Sequence, residues 1–421
     1  MMRNHPPLNS GAALDVAVIG GGPSGLAAAT ALKESGTARV VVLEREAQAG
    51  GIPRHCGHPP FGMREFRRVL RGPTYAARLV ERALRAGVEI HTGTSVVQVR
   101  PGGSLLVAVA KGVMEISARR IILATGVREM PRSARLISGV RAQGVLNTGA
   151  LQSMVYLKNR RPFHRPVIVG SELVAFSAIM TSRHAGIRPV AMIEANARVT
   201  ARWPSALYPR LSGVSLLTGT RLLEIHGERS VTGVTVAGPD GARRCIDCDG
   251  VVLSGRFTPE STLARCGHLE VDPATGGPIV DQWGRCSDPV YFAAGNLLRP
   301  VETAGWSWSE GRKCGQWVAD DLAGRLPPLV SALDVKTHDP RLKYVMPQKI
   351  MLPPAGTGMV DLQLRVTRPV RGELVAVNGK GILWRQNIHA LPERRVLVPI
   401  ADMDCAGGAG TIQFEIREEI T

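Results

Sequence analysis

Lysine and aromatic residues are scarce in this chain. Eight of its 52 basic side chains are lysine, and Phe, Trp and Tyr make up 4% of 421 residues. The formal charge of +17 would suit nucleic acid, but few rings are available for base stacking and the lysines are dispersed, so nucleic acid is not expected as partner. An acidic protein surface or an anionic ligand fits the charge better, and peripheral contact with a membrane surface stays open. Long apolar runs are also missing. No stretch approaches the roughly 18–20 residues that span a bilayer, and the N-terminal segment shows no apolar h-region before a cleavage site. A cytoplasmic protein is expected, with a place on the inner face of the cell membrane left open. Seven scattered cysteines do not make a disulfide framework, so reduced thiols are expected. The length and a hydrophobic fraction of 44% allow two or three domains with real cores.

Glycine, by contrast, is plentiful and informatively placed. In "DVAVIGGGPSGLAAATALKESGTARVVVLERE" an apolar strand over 15–19 leads into Gly20, Gly22, Pro23, Ser24 and Gly25, a G-x-G-x-x-G turn. A helix-forming stretch over 26–35 follows, then a second strand over 39–43 that ends in Glu44. Gly20 permits the tight turn, Gly22 lets backbone approach a pyrophosphate, and Gly25 lets helix and strand pack closely; Glu44 is placed to accept from a ribose. This is the context of a dinucleotide site.

Two later segments decide which dinucleotide. A strand over 120–123 is followed by Ala124, Thr125 and Gly126, and a strand over 290–293 by Gly295, Asn296 and a helix over about 304–322. Together with the first turn these resemble the motifs of the two-dinucleotide-domain flavoproteins, the glutathione and thioredoxin reductase-like superfamily. The resemblance implies an α/β fold with two Rossmann-like dinucleotide-binding domains and FAD at the first turn. It extends the set of candidate FAD contacts to Arg45, Gly51, Ile52, Val96 and Thr303. The family's usual ribityl-contacting aspartate is Asn296 here; an amide can still hydrogen-bond a hydroxyl. The implied organisation is an FAD-binding domain over 13–146 and 250–326, a second nucleotide domain over 147–249 inserted in it, and a C-terminal β domain over 340–421.

The second nucleotide turn departs from the pattern. Strand 166–169, helix 173–184 and strand 189–193, ending in Glu194, keep the frame, but Gly170-Ser171-Glu172 places a carboxylate at the second glycine position. Unless Glu172 points away, its side chain obstructs a pyrophosphate, and Glu194 disfavours a 2′-phosphate; NAD(H) is therefore only weakly supported. Disulfide chemistry is not expected either. Only Cys56 follows the first turn, and Cys245 and Cys248 sit on a strand-like segment ahead of strand 251–254, which reads as lying after the return to the first domain.

The loop "GGIPRHCGHPPFG", residues 50–62, carries His55, Cys56 and His58. No second Cys/His pair lies nearby, so no metal is expected. Topology places the loop near the flavin, and two readings stand: three candidate catalytic side chains lining the ring, or a proline-stiffened packing loop. Its form, with "GNLLRPVETAGWSWSEGR", looks like the FAD-binding α-type subunits of bacterial multi-subunit amino-acid dehydrogenases, such as hydrogen cyanide synthase, opine oxidase and proline or hydroxyproline dehydrogenase. That likeness implies a hetero-oligomer in which a β-type flavoprotein oxidises the amine and a small [2Fe–2S] protein, a partner chain, links the flavins. A stand-alone NADH:acceptor oxidoreductase and a non-catalytic FAD-bearing scaffold are the alternatives.

Eight arginines between Arg54 and Arg85, against Glu65 and Glu81, read as a solvated face or as a docking surface. After a proline-bearing linker over 325–340, alternating residues with turns at Asn378-Gly379 and Gly407-Gly408 predict a small antiparallel β-sandwich for interaction or stabilisation. Cys405 is its only cysteine, so it cannot hold an Fe–S cluster alone.

Overall fold

The computed structural model describes Leu8, Gly11 and residues 13–201, 204–328, 331–352, 358–403 and 410–417. The chain forms two compact units. One comprises Met1–Gly51, Ala76–Val127 and Pro259–Thr421; the other comprises Ile52–Tyr75 and Arg128–Thr258.

In the first unit, Ala13–Ile19 lies between Val40–Leu43 and Gly112–Leu123, all parallel. Glu89–His91 extends one side and Tyr291–Ala293 pairs with Gly112–Leu123 on the other. Val16, Ala17, Val18, Val41 and Val42 are fully buried. Continuous burial of this kind needs both faces of a parallel sheet covered. Gly112–Leu123 starts well before the strand expected at 120, because its first half alternates and pairs antiparallel with Ser104–Val109. Ser95–Val99, which carries Val96, completes that antiparallel wing, with Val96 opposite Val107.

The first helix, Pro23–Glu34, packs on the long helix Ala304–Leu322. Their contact depends on missing side chains. A Cβ on Gly311 would lie 2.1 Å from the Ser24 carbonyl oxygen, and one on Gly315 would lie 2.4 Å from that of Ala28.

The C-terminal sandwich belongs to this same unit. Its sheets run Lys349–Met351, Ala332–Thr337, Gly410–Arg417, Val370–Asn378, Gly381–Ala390 and Leu342–Met346, Asp361–Val366, Val396–Pro399. Two details correct the sequence reading. Ala332–Thr337 is a strand inside the expected linker, because Leu333 and Val335 alternate into the core. It pairs parallel with Gly410–Arg417, so the sandwich is not wholly antiparallel. Asn378 Oδ1 closes its hairpin by accepting from the N–H groups of Lys380 and Gly381 at 2.9 and 3.1 Å. Cys405 and Gly407-Gly408 lie outside the described residues.

In the second unit a five-stranded parallel sheet runs Ser215–Leu217, Ala191–Ile193, Pro166–Val169, Gly250–Leu253, Val145–Asn147. Gly250–Leu253 is thus a strand of the second nucleotide fold and has not yet returned to the first. It is apolar and wholly buried, and sequence alone does not say which of two parallel sheets such a strand joins. Arg221–Gly227, Val231–Ala237 and Arg243–Asp247 form an antiparallel sheet beside it.

Candidate functional site

The first turn is shaped by positions where no side chain fits. Gly20 has φ +108°, and a Cβ there would lie 2.5 Å from the Ala124 carbonyl oxygen; one on Gly25 would lie 1.9 Å from that of Gly20. Gly22 is open, since a Cβ there would meet nothing nearer than the Gly51 Cα at 3.9 Å. Gly51 itself has φ +61°, and Gly50 N–H donates to the Gly21 carbonyl at 2.7 Å. The loop backbone therefore closes on the turn as far as Gly51.

Pro23 opens the helix, whose N-terminus has no side-chain cap. Beside it the helix Ala304–Leu322 begins after Thr303, also without a side-chain cap. The two helices run parallel but offset, with Ser24 facing Gly311 nearly two turns inside the second, so the uncapped N-terminus of Pro23–Glu34 is the positive end suited to a pyrophosphate and that of Ala304–Leu322 lies beyond it. Ser24 Oγ and Ser307 Oγ are buried without a protein partner, and Gly295, with φ +74°, fits only because it has no Cβ, which would meet Ser24 at 2.8 Å.

Glu44 ends the second strand, 7% exposed. Its two oxygens accept from Gly21 N–H and Glu46 N–H, each at 2.8 Å. Both bonds are to backbone, which leaves each oxygen capacity for a ribose hydroxyl. Thr125 Oγ1 donates to the Glu260 carbonyl at 2.7 Å, and Glu260 N–H donates to that of Gly126 at 2.9 Å. Arg45 is exposed. The residues present fit the adenine dinucleotide half of FAD.

The second turn is built otherwise. Glu194, 6% exposed, accepts from Ser171 Oγ, from Asn196 N–H and Nδ2 at 2.8 Å each, and from Thr200 Oγ1 at 3.4 Å. Ser171 stands where Gly21 stands in the first turn, and its hydroxyl binds the acid that a ribose would otherwise meet. Glu172 turns its carboxylate to the end of the Gly250–Leu253 strand. A Cβ on Gly255 would lie 2.5 Å from it, and it accepts from Arg256 N–H at 3.3 Å. Arg135 covers that strand end as well, donating to the carbonyls of Ser254 at 2.9 Å and Gly255 at 2.6 Å. Ligands in such folds lie beyond the C-terminal strand ends at the switch point. Here Glu172 and Arg135 stand at that strand end, and both side chains have to move before a nicotinamide dinucleotide fits there.

A family model described as pyridine nucleotide-disulphide oxidoreductase matches residues 14–311. The chain belongs to this family. It is 26% identical to a putative NADPH glutamate synthase small chain of Cereibacter sphaeroides, over 75% of this chain and 78% of that one. It is 29% identical to an opine oxidase subunit of Rhizobium meliloti, over 43% of this chain but only 38% of that relative's length. Thioredoxin reductase of T. acidophilum superposes with a TM-score of 0.62 at 21% identity, covering 73% of this chain and 98% of that one, which is a likeness of fold. The protein is an FAD-dependent oxidoreductase of the two-dinucleotide-domain type.

In this oxidoreductase the loop after Gly51 belongs to the second unit, whose bounds begin at Ile52. Ile52 is 55% exposed, whereas His55 and Cys56 are buried. Cys56 Sγ donates to the Ile52 carbonyl at 3.4 Å or the Gln152 Oε1 at 3.5 Å, and Gln152 Nε2 donates to Ser177 Oγ at 3.1 Å. Burial, and then the charge of Glu129, push the thiol up to about 12. A protonated, packed thiol is a poor nucleophile, so its surroundings speak against nucleophilic chemistry at Cys56. His58 is half-buried; its Nδ1 lies 3.0 Å from the Pro59 carbonyl and its ring 5.6 Å from that of Phe61. Burial lowers its pKa. Among the described residues no three His, Cys, Asp or Glu side chains gather closely enough to hold a metal ion, and no helix is long and apolar enough to cross a membrane. Cys245 and Cys248 are free thiols on and after Arg243–Asp247.

Sequence reasoning missed Arg135, Gln152 and Glu129. Glu129 is buried, accepting from Gly149 N–H at 2.8 Å and Gly255 N–H at 3.1 Å. Glu129 ends the three-residue strand Val127–Glu129, Arg135 the 3-10 turn Ser133–Arg135 and Gln152 the short helix Thr148–Gln152, and no motif marks any of them.

Proposed function

We propose that this oxidoreductase is the FAD-bearing component of a multi-subunit amino-acid or imino-acid dehydrogenase. A β-type partner flavoprotein oxidises the C–N bond, a [2Fe–2S] centre on a partner chain carries electrons, and this chain relays them to an acceptor. The observation that carries this reading is the contrast between the two turns: the first is open to a dinucleotide, the second is filled by Ser171, Glu172 and Arg135. A member of the family without a nicotinamide site needs another source of electrons. The opine oxidase relative, by its name one component of an oxidase with several chains, supports a partner chain as that source.

Bound FAD supplies reversible two-electron redox chemistry. This chain's own residues would hold it, Gly20, Gly22 and Gly25 by leaving room for backbone approach and Glu44 by offering its carboxylate to a ribose hydroxyl. Docking is assigned to residues 63–71, where Met63, Arg64, Arg67, Arg68, Val69 and Arg71 are exposed around the bridge of Phe61 to Leu70. Apolar tips among arginines suit an acidic surface with an apolar centre. Co-expression with the products of neighbouring genes tests the assignment: amino or imino acids should bleach this flavin only in the assembled complex. Bleaching that never depends on a partner would contradict it.

A further inference from the structure

Asn296 stands where the family motif has aspartate, and both ends of its amide are engaged by one residue. Glu302 N–H donates to Asn296 Oδ1 at 2.7 Å, and Asn296 Nδ2 donates to the Glu302 carbonyl at 3.0 Å. Only an amide can make this pair, since a carboxylate accepts but cannot donate. The loop between Gly295 and the helix Ala304–Leu322 is thereby closed on itself.

The side chain of Glu302 faces the C-terminal sandwich. Its carboxylate, 7% exposed, meets Arg365 Nη2 at 2.7 Å and Arg395 Nε at 3.4 Å. Arg365 also donates to the Val301 carbonyl at 3.1 Å, and the Arg395 guanidinium lies 4.1 Å from the centre of the Trp306 ring. Arg299, with no exposed surface, pairs with Glu310 through two nitrogens. It also donates to Gln363 Oε1 at 3.2 and 3.0 Å and to the Gly295 carbonyl at 3.4 Å. Gln363 and Arg365 share the strand Asp361–Val366. Three guanidinium groups thus face two carboxylates, Glu302 and Glu310, leaving one net positive charge enclosed beside the terminal motif.

We propose that the C-terminal sandwich is a positioning device for the flavin. Arg365 and Arg395 hold Glu302, Glu302 holds Asn296, and Gln363 with Arg299 holds Gly295, so the motif is fixed and given a positive surrounding from a domain outside the nucleotide fold. Asn296 is then the residue this arrangement requires, and restoring aspartate is harmful because it sets a carboxylate against the Glu302 carbonyl. Tyr344, fully buried on the same side of the sandwich with its hydroxyl unpartnered, and Ser307 complete the polar lining. The proposal rests on FAD at the first turn and is independent of which partner supplies electrons.

Purified holoprotein decides it. FAD dissociation, the visible circular dichroism of the bound flavin and its midpoint potential are measured for wild type, Asn296→Asp, Arg365→Ala and Arg365→Lys. Asp339→Asn serves as a sandwich variant remote from the cluster. Asn296→Asp and Arg365→Ala should each weaken FAD by about tenfold or more and lower its potential, because each makes the surroundings more negative. Arg365→Lys should restore the potential while recovering only part of the affinity, since the charge returns without the fork. Asp339→Asn should lower the melting temperature and leave the flavin unchanged. The proposal is overturned if Asn296→Asp binds FAD as tightly as wild type, or if Arg365→Ala lowers the melting temperature with affinity and potential intact. A wild-type protein that bound no FAD would overturn the cofactor assignment beneath it, a distinct result.

Discussion

Ser171 donates its hydroxyl to Glu194, and this bond distinguishes the second nucleotide turn from the first, where Glu44 accepts from the N–H groups of Gly21 and Glu46. A hydroxyl at that position gives the acid a permanent ligand. With Glu172 lying over Gly255, the turn keeps the Rossmann frame and loses its room for phosphate and ribose.

Reopening the turn should therefore take two changes. The double variant Ser171→Gly, Glu172→Gly is expected to bind NADH with a Kd well below about 1 mM, where wild type shows no saturable binding. Isothermal titration of the holoprotein checks this. Failure of the double variant, with fold and flavin intact, would contradict the claim that Ser171 and Glu172 close the turn.

The parallel strands of both nucleotide folds, the first phosphate turn and the helix Ala304–Leu322 were legible in the sequence, because apolar runs, glycine spacing and a terminal acid are local signals. The sheet to which Gly250–Leu253 belongs was not, since one buried VVL run suits either sheet. Nor was the strand Ala332–Thr337, hidden by the prolines on either side of it. At the site, Glu172 was legible as an intruder by its position, but the Ser171–Glu194 bond and the Glu302 cluster join residues 23 and more than 60 positions apart. The surroundings of Cys56 were hidden for a similar reason: its burial against Gln152 depends on a segment almost a hundred residues away.

Cys56 should prove dispensable for redox chemistry. Cys56→Ala is expected to retain flavin reduction within about twofold and to cost about 1 kcal/mol in urea unfolding, the loss of a small buried group. The thiol's pKa is raised, so folding holds its proton more tightly. Its contribution is complete below the unfolded value of about 8.5 and declines as pH rises towards about 12. Unfolding curves of wild type and variant should converge across that range.

Helix packing under the first turn should tolerate no methyl group. Gly311→Ala places a Cβ 2.1 Å from the Ser24 carbonyl oxygen, forcing the helix Ala304–Leu322 away from the first turn of Pro23–Glu34. A loss of about 3 kcal/mol together with purification of FAD-depleted protein is expected. Chemical denaturation and the ratio of flavin to protein absorbance read the two effects.

Asp339 fastens the last strand of the sandwich. It accepts from Arg341 Nη2 at 2.9 Å and from Ile416 N–H at 2.8 Å. Despite the opposing effect of burial, hydrogen bonds from Arg341 and Ile416 bring its pKa down to about 2. A lowered carboxyl stabilises the fold above its unfolded value of about 3.9, and the contribution is lost as pH falls through about 2. Asp339→Asn should remove this acid-dependent step from unfolding curves recorded between those limits.

The central claim is that this flavin is reduced by a partner chain and not by a nicotinamide nucleotide. Anaerobic absorbance of the purified holoprotein, followed in the flavin bands during titration with NADH and NADPH, tests it most directly. The account predicts bands that persist through the titration and bleach when amino or imino acids are added to the co-expressed complex. Rapid bleaching of the isolated chain by NADH would contradict it, and would mean that Ser171, Glu172 and Arg135 give way to the nucleotide.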